Sequence, residues 1–358
     1  MKTSRITKLG VFALAILLFS QTCTIGQIWI DGVNRGATFI EIGSSGSTGS
    51  ADIIDIYSGG VFNGSLGGTG TIKTLNLHGG YVTNGYAYFW PGGEEYSGRY
   101  VPSRGYITEA NVYDGTLVNA EDEGYGYITT LNMYGGVVYS GKWGFSYITT
   151  ANVNGGTLYN GYGFMGWFGT VSLDGGTVYN SGRIDNLTYT SGTYEGGPYD
   201  EWQSGASGSI GTLTLAGDAA DNTGDWGIVE NLAFASDGSG MLTITAALER
   251  SDDILFTSVI QPTGSVDLAY GNIVIDWNGA LSEGVGFSVM DIFATDNVFG
   301  TLASLTIGEQ QFTSVGSNWI FTFTDGAWSS ANEVPEPATL AIVGIGLAGL
   351  GLARRRKS

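Results

Sequence analysis

Thiol chemistry is close to absent from this chain: among its 358 residues Cys23 is the only cysteine. Lys2, Arg5 and Lys8 precede an apolar stretch from Leu9 to Phe19, and small residues at Thr24 and Gly26 suit cleavage before Gln27. That is the layout of a secretory signal peptide read by signal peptidase. Ser20-Gln21-Thr22 ahead of the cysteine is a poor lipoprotein box, so processing before Gln27 leaves no thiol. Disulfides, thiolate nucleophiles and cysteine metal sites are thereby excluded from the mature protein. Histidine is equally scarce. His78 is the only one, at a turn position that other repeats fill with Tyr, Asn or Asp, which argues against a His-centred triad or a zinc site and for a surface turn residue. Between residues 27 and 353 there are seven cations against 33 carboxylates, a net charge of −26. Phosphate-backbone binding is excluded on that balance, so no nucleic-acid partner is expected. Prolines number six, few enough to leave long hydrogen-bonded strands uninterrupted.

Glycine is abundant, with 60 residues, while apolar and aromatic content is ordinary for a globular chain. The glycines recur in register. Ile56-Tyr-Ser-Gly59-Gly-Val61-Phe-Asn63, Leu77-His-Gly-Gly80-Tyr-Val82-Thr-Asn84 and Val112-Tyr-Asp-Gly115-Thr-Leu117-Val-Asn119 align without gaps. So do the segments around Gly136, Gly156 and Gly176, and a degenerate copy surrounds Gly192. The anchor glycines step by 21, 35, 21, 20, 20 and 16 residues. Apolar residues alternate before each turn, as in Ile128-Thr-Thr-Leu131-Asn-Met133, which points one face inward. One such strand cannot bury itself, whereas coils stacked about 4.8 Å apart pair every strand with its copies and bury the inward column. The expectation is an all-β fold: a parallel β-helix, or β-solenoid, of coils of about 20 residues with a C-terminal β cap. The anchor glycine supplies positive φ at the turn, and Asn63, Asn84, Asn119, Asn160 and Asn180 should stack as a ladder of bonded amides.

The domain organisation expected is a signal peptide over 1–26, an N-terminal cap segment over 27–50 and solenoid repeats over 51–216. A polar connector over 217–240, a C-terminal β region over 241–330 and a terminal segment over 331–358 follow. The region 241–330 either continues the solenoid with longer coils or forms a separate cap. The 35-residue step marks an insertion between residues 85 and 106, expected to emerge as a loop on one side.

Chemistry-bearing constellations are sparse. Lys73, Lys142 and Arg183 lie in different repeat contexts, and the acidic pairs Glu94-Glu95, Asp200-Glu201 and Asp252-Asp253 stand in separate loops. No catalytic residues are assigned and no enzyme activity is expected. Asp218, Asp221 and Asp225 offer hard oxygen ligands around a glycine turn, a candidate Ca²⁺ site that does not match the twelve-residue loop pattern; otherwise no cofactor is expected. Aromatic residues between one repeat's asparagine and the next repeat's strand, among them Trp90, Trp143, Trp167 and Tyr162, could form a stripe against sugar faces. The competing reading is that these rings stack on one another as a structural ladder.

The last residues address the protein. Val334-Pro335-Glu336-Pro337 is followed by an uncharged run from Ala338 to Ala353 and by Arg354-Arg355-Arg356-Lys357. Sixteen helical residues span about 24 Å, slightly short of the roughly 30 Å hydrocarbon core. Such a helix holds a membrane marginally, and the cations behind it favour the cytoplasmic side. These residues resemble the PEP-CTERM sorting signals of Gram-negative bacteria. The resemblance implies recognition by an exosortase-type protease that removes the tail, transient anchoring in the inner membrane, and release to the cell surface or extracellular matrix. The repeats look like the glycine-rich units of autotransporter passenger domains and of other PEP-CTERM surface proteins. The function expected is an exported structural or adhesion protein contacting extracellular polysaccharide. The alternative is a secreted polysaccharide lyase or glycoside hydrolase on a β-helix.

Overall fold

The computed structural model of the protein describes residues 24–30, 39–43, 46–87, 102–161, 166–197, 208–219, 225–248, 254–257, 260–293 and 295–332. Each repeat supplies a strand, a turn and a second strand. The first coils are β1 (Thr24–Ile30) with β2 (Phe39–Ile42), β3 (Thr48–Ile56) with β4 (Gly60–Ser65), β5 (Thr69–Leu77) with β6 (Tyr81–Tyr86), and β7 (Arg104–Val112) with β8 (Thr116–Glu121). In the next coils the strand runs through the turn: β9 (Tyr125–Lys142), β10 (Phe145–Asn160), β11 (Gly166–Asn180) and β12 (Arg183–Gly196). β13 (Ser209–Leu215) and β14 (Ile228–Phe234) continue the first face. All these neighbours pair in parallel, with Leu77 opposite Val112, Val112 opposite Met133, Met133 opposite Val153 and Val153 opposite Leu173. Those five side chains are fully buried and form the inward column that the alternation predicts.

The turns follow the sequence closely. Gly59, Gly80, Gly115, Gly136, Gly156, Gly176 and Gly192 all have positive φ, between 68° and 107°. They are stacked: a Cβ on Gly156 would come within 2.6 Å of the Gly136 carbonyl oxygen, and one on Gly136 within 2.7 Å of the Gly115 oxygen. No β-carbon fits this column.

The asparagine ladder forms and is buried. Asn63 donates to Asn84 at 2.7 Å, Asn84 to Asn119 at 2.7 Å, and Asn160 to Asn180 at 2.7 Å. The carboxamide oxygens of Asn63, Asn84, Asn119 and Asn160 lean on a glycine of the following strand, Gly70, Gly105, Gly126 and Gly166 in turn, where a Cβ would collide. One coil departs from this pairing in both partners. Ser140 replaces the asparagine and Ser146 the glycine, and their hydroxyls bond at 2.6 Å while Asn119 donates to Ser146 at 2.6 Å. A second, outward ladder runs Asn152 to Asn132 to Asn111 to Asn76 to Asp55 at 2.8–3.0 Å.

Two boundaries differ from the sequence expectation. The segment 27–50 is not a separate cap, because β1 pairs with β3 and β2 with β4 as an ordinary first coil. The segment 217–240 is not only a connector. It holds β14, whose Val229-Glu-Asn-Leu232 repeats the apolar spacing of Ile210-Gly-Thr-Leu213 and pairs with it. Beyond it the chain both continues the solenoid and caps it. β15 (Met241–Leu248), β16 (Ile254–Thr257), β17 (Ser265–Asp267), β18 (Asn272–Asn278), β19 (Gly286–Ser288), β20 (Val298–Phe299) and β21 (Thr301–Ile307) complete most of the fold. β22 (Gln310–Gly316), β23 (Trp319–Thr324) and β24 (Ala327–Asn332) end it. β17 and β20 extend the first sheet, while β15, β18 and β21 stack in parallel as a second. Asn231 pairs with Ser265, Val266 with Val298, Met241 with Asn272 and Asn272 with Ser304, so these coils run 31 to 34 residues. Antiparallel β22 then covers the edge of β21, and β19, β23 and β24 form a third, antiparallel sheet. β22 thereby occupies a hydrogen-bonding edge that would otherwise template further pairing.

Candidate functional site

Outward side chains decide what this surface can touch, and most of its rings touch one another. Tyr57, His78, Tyr113 and Tyr134 stack with centroids 4.6–5.1 Å apart and planes within 10°. Tyr139, Tyr159 and Tyr179 repeat the arrangement at 4.9 Å, Tyr106 on Tyr127 at 4.9 Å, and Tyr125 on Phe145 at 5.1 Å. Rings stacked face to face offer their edges to solvent and keep their faces covered. For these positions the structural ladder is what the fold contains, and His78 is one rung of it.

Trp167 breaks the pattern. It follows Tyr106, Tyr127 and Tyr147 in register, but its ring stands at 81° to that of Tyr147 and the next coil places Arg183 opposite it. The indole is 46 % exposed. It borders an open groove of about 660 Å³ lined by Arg183, Asp185, Asn186, Gly211, Thr212, Glu230 and Asn231. The motif Phe168-Gly-Thr-Val171, Ile184-Asp-Asn-Leu187, Ile210-Gly-Thr-Leu213 and Val229-Glu-Asn-Leu232 recurs in register here, with Asp185, Asn186, Thr212, Glu230 and Asn231 partly or fully exposed and Gly211 buried. Gly169 and Gly211 stand in register on either side of Asp185, and a Cβ on Gly211 would press to 2.7 Å from the Asp185 carbonyl oxygen.

Asp185 is fixed from two sides. The Trp167 indole N–H donates to its Oδ2 at 3.0 Å and Arg183 Nε to its Oδ1 at 2.8 Å. Arg183 also reaches over β13 to Glu230, Nη1 to Oε1 at 3.7 Å. The hydrogen bond to Asp185, with the charge of Glu230 behind it, raises the Arg183 guanidinium above its ordinary value, so it is cationic at every accessible pH. Asn231 is spent structurally, donating to the Gly211 carbonyl at 3.0 Å and accepting from Ser265 at 2.8 Å. Asn186 is exposed, beside Thr212 in the same register.

The other expected contact residue lies elsewhere. Trp143 is 41 % exposed, with φ +64° at the corner between β9 and β10, and shares no column with Trp167. Beside it a half-buried ion pair joins Lys142 to Glu121 at 2.8 Å, and Tyr81 donates to the same carboxylate at 3.0 Å. Burial first, then the Glu121 charge, pushes the Tyr81 phenol above its ordinary range, and the same two causes raise Asp122. Trp90, Tyr162 and Asp221 lie outside the described residues, as do the acidic pairs at 94–95, 200–201 and 252–253. Of the remaining calcium candidates, Asp218 accepts from Thr243 of β15 at 3.3 Å, and Asp225 accepts from the Gly227 N–H at 2.9 Å inside its own turn. Among the described residues no three acidic, histidine or cysteine side chains converge as a metal site. Each cation singled out from the sequence has a carboxylate partner: Lys73 with Asp52 at 2.6 Å, Lys142 with Glu121, Arg183 with Asp185.

Sequence reasoning missed Asp185, Asn186, Thr212 and Glu230. The glycine turn fades there, and the coil steps of 16, 26 and 19 residues from Trp167 through Arg183 and Ser209 to Ile228 hide the alignment. The two-residue gap between apolar positions, which persists to Leu232, would have recovered them.

Val334 to Pro337 and Arg354 to Arg356 also lie outside the described residues, and among those described no helix is long and apolar enough to cross a membrane. No curated protein and no solved structure matches the chain. Residues 333–357 match the PEP-CTERM protein-sorting motif, which implies an exported protein sorted at the membrane and processed by an exosortase.

Proposed function

We propose that this protein is an exported structural or adhesion component of the cell surface or extracellular matrix, contacting extracellular polysaccharide. The observation that carries the reading is the sorting motif at 333–357, which follows a strongly acidic β-solenoid. A solenoid held by burial, amide ladders and ring stacks needs no cofactor and no disulfide, which suits service outside the cell. Its ladders make it stiff along the axis, and the groove at Trp167 gives it a place to grip.

The runner-up, a secreted polysaccharide lyase or glycoside hydrolase, draws on the two carboxylates of Asp185 and Glu230 above one groove. They stand two coils apart with the Arg183 guanidinium between them, 2.8 Å from Asp185 and 3.7 Å from Glu230. Asp185 is held in place by two donors, Trp167 and Arg183. One experiment separates the classes. The native protein is recovered from the matrix fraction and incubated with neutral and acidic polysaccharides. Retention without release of reducing ends or unsaturated uronates is expected; steady turnover would replace the structural reading with the enzymatic one.

A further inference from the structure

Resting on the reading that the protein contacts polysaccharide, we infer that the groove between Trp167 and Glu230 is a binding site for uncharged sugar units, and that Trp167, Asn186 and Glu230 are its contact residues. Three observations converge. First, Trp167 is the ring that leaves its ladder: at 81° to Tyr147 and with Arg183 in the next coil, its face is not covered as those of the stacked tyrosines are. A free indole face is what the C–H face of a pyranose packs against.

Second, the polar groups suit hydroxyls. Glu230 is 45 % exposed and meets Arg183 only at 3.7 Å, leaving carboxylate lone pairs to accept from sugar O–H groups. Asn186 supplies donors and an acceptor, and Thr212 a hydroxyl that does both. The site is also pre-set, since Asp185 ties the Trp167 indole and the Arg183 guanidinium to one carboxylate. Less ordering is then left for a ligand to impose.

Third, charge selects the class. The groove holds one cation and two carboxylates, and the cation is already engaged by both. A uronate or sulfated chain would meet a net negative site on a net negative molecule, whereas an uncharged glycan would not.

The test uses the exported mature protein and gels containing a soluble β-glucan, a galactomannan or a polyuronate. Retention is expected in at least one neutral gel and not in the polyuronate, falling about tenfold or more in Trp167→Ala and in Asn186→Ala. Trp143→Ala, at the other corner, should be retained as wild type is. Asn186→Ala removes an exposed side chain from the rim and guards against a Trp167 variant that fails to fold; unchanged circular dichroism and melting temperature confirm both. Neutral retention that survives both groove substitutions would overturn the site while leaving polysaccharide contact standing. Retention of the polyuronate dependent on Trp167 would overturn the ligand class. A wild-type protein retained by none of the gels would overturn the contact reading and this site with it.

Discussion

At the scale of single residues, backbone conformation and not side-chain chemistry is what the repeats protect. Gly156 has φ +76°, with the carbonyl oxygens of Gly135 and Gly136 each 2.6 Å from where a Cβ would sit. Gly156→Val should therefore cost a few kcal/mol, the strain of a β-branched residue at positive φ plus the collision. Chemical denaturation checks it, and a loss under about 0.5 kcal/mol, typical of neutral surface changes, would contradict the stacked column. This column is legible in the sequence because only one residue type meets the requirement, so recurrence reads directly as geometry. The Ser140 and Ser146 pair was not legible in the same way. Each looks like a lapse in its own repeat, and only the register that sets Ser146 opposite Gly126 and Ser140 opposite Asn119 shows that one change answers the other. The orientation of Trp167 was hidden for a related reason: whether a ring stacks depends on the coil above it, and there the aromatic series ends at Arg183.

At the scale of elements, β6, β8 and β9 share one electrostatic unit. Glu121 accepts from Lys142, Tyr81 and Thr83, at 2.8, 3.0 and 3.3 Å, and its carboxylate is largely buried. The Tyr81 phenol is raised, by burial first and by the Glu121 charge second. The unfolded chain releases that proton near the ordinary tyrosine value of about 10, while the folded protein keeps it. The stabilisation is thus full below pH of about 10 and is lost as pH rises toward the folded value, because the unfolded state then binds fewer protons. Denaturation midpoints should fall on the alkaline side, and Tyr81→Phe should flatten that slope while lowering stability at neutral pH through the lost hydrogen bond. An alkaline limb as steep in Tyr81→Phe as in the wild type would assign it to other groups. None of this unit is visible in the repeats taken singly. Tyr81, Glu121 and Lys142 belong to three different coils, and the insertion between 85 and 106 shifts the numbering that would have aligned them.

At the scale of the whole molecule, the coil plan is legible from residue 51 to the repeat at Gly192, and the capping is not. Where the turn glycines disappear the apolar spacing persists, but coil length rises from about 20 to between 31 and 34 residues, so no fixed period remains to be read. Processing is set by the two ends. The mature protein should begin near Gln27 and lack everything from about Ala338 onward, within the few residues to which such boundaries are readable. Intact-mass and peptide mass spectrometry of the native protein measure this directly. Recovery of a peptide spanning Arg354 to Ser358 from the mature form would mean that the tail stays as an anchor.

The register across β9, β10 and β11 has a consequence for descent. Thr130, Thr150 and Thr170 lie in line, as do Tyr139, Tyr159 and Tyr179, and Asn132 lies beside Asn152. Were the middle coil deleted, its two neighbours would meet with the same threonines, tyrosines and inward aliphatics already facing each other. A duplicated coil would insert just as quietly. Slippage in whole units of about 20 residues therefore changes the reach of the molecule, by about 4.8 Å each time, while most columns stay matched; only the buried Ser140–Ser146 pair would need a new partner. Length in such a lineage is free to drift or be selected on its own, while the turn glycines and the two terminal regions stay under constraint.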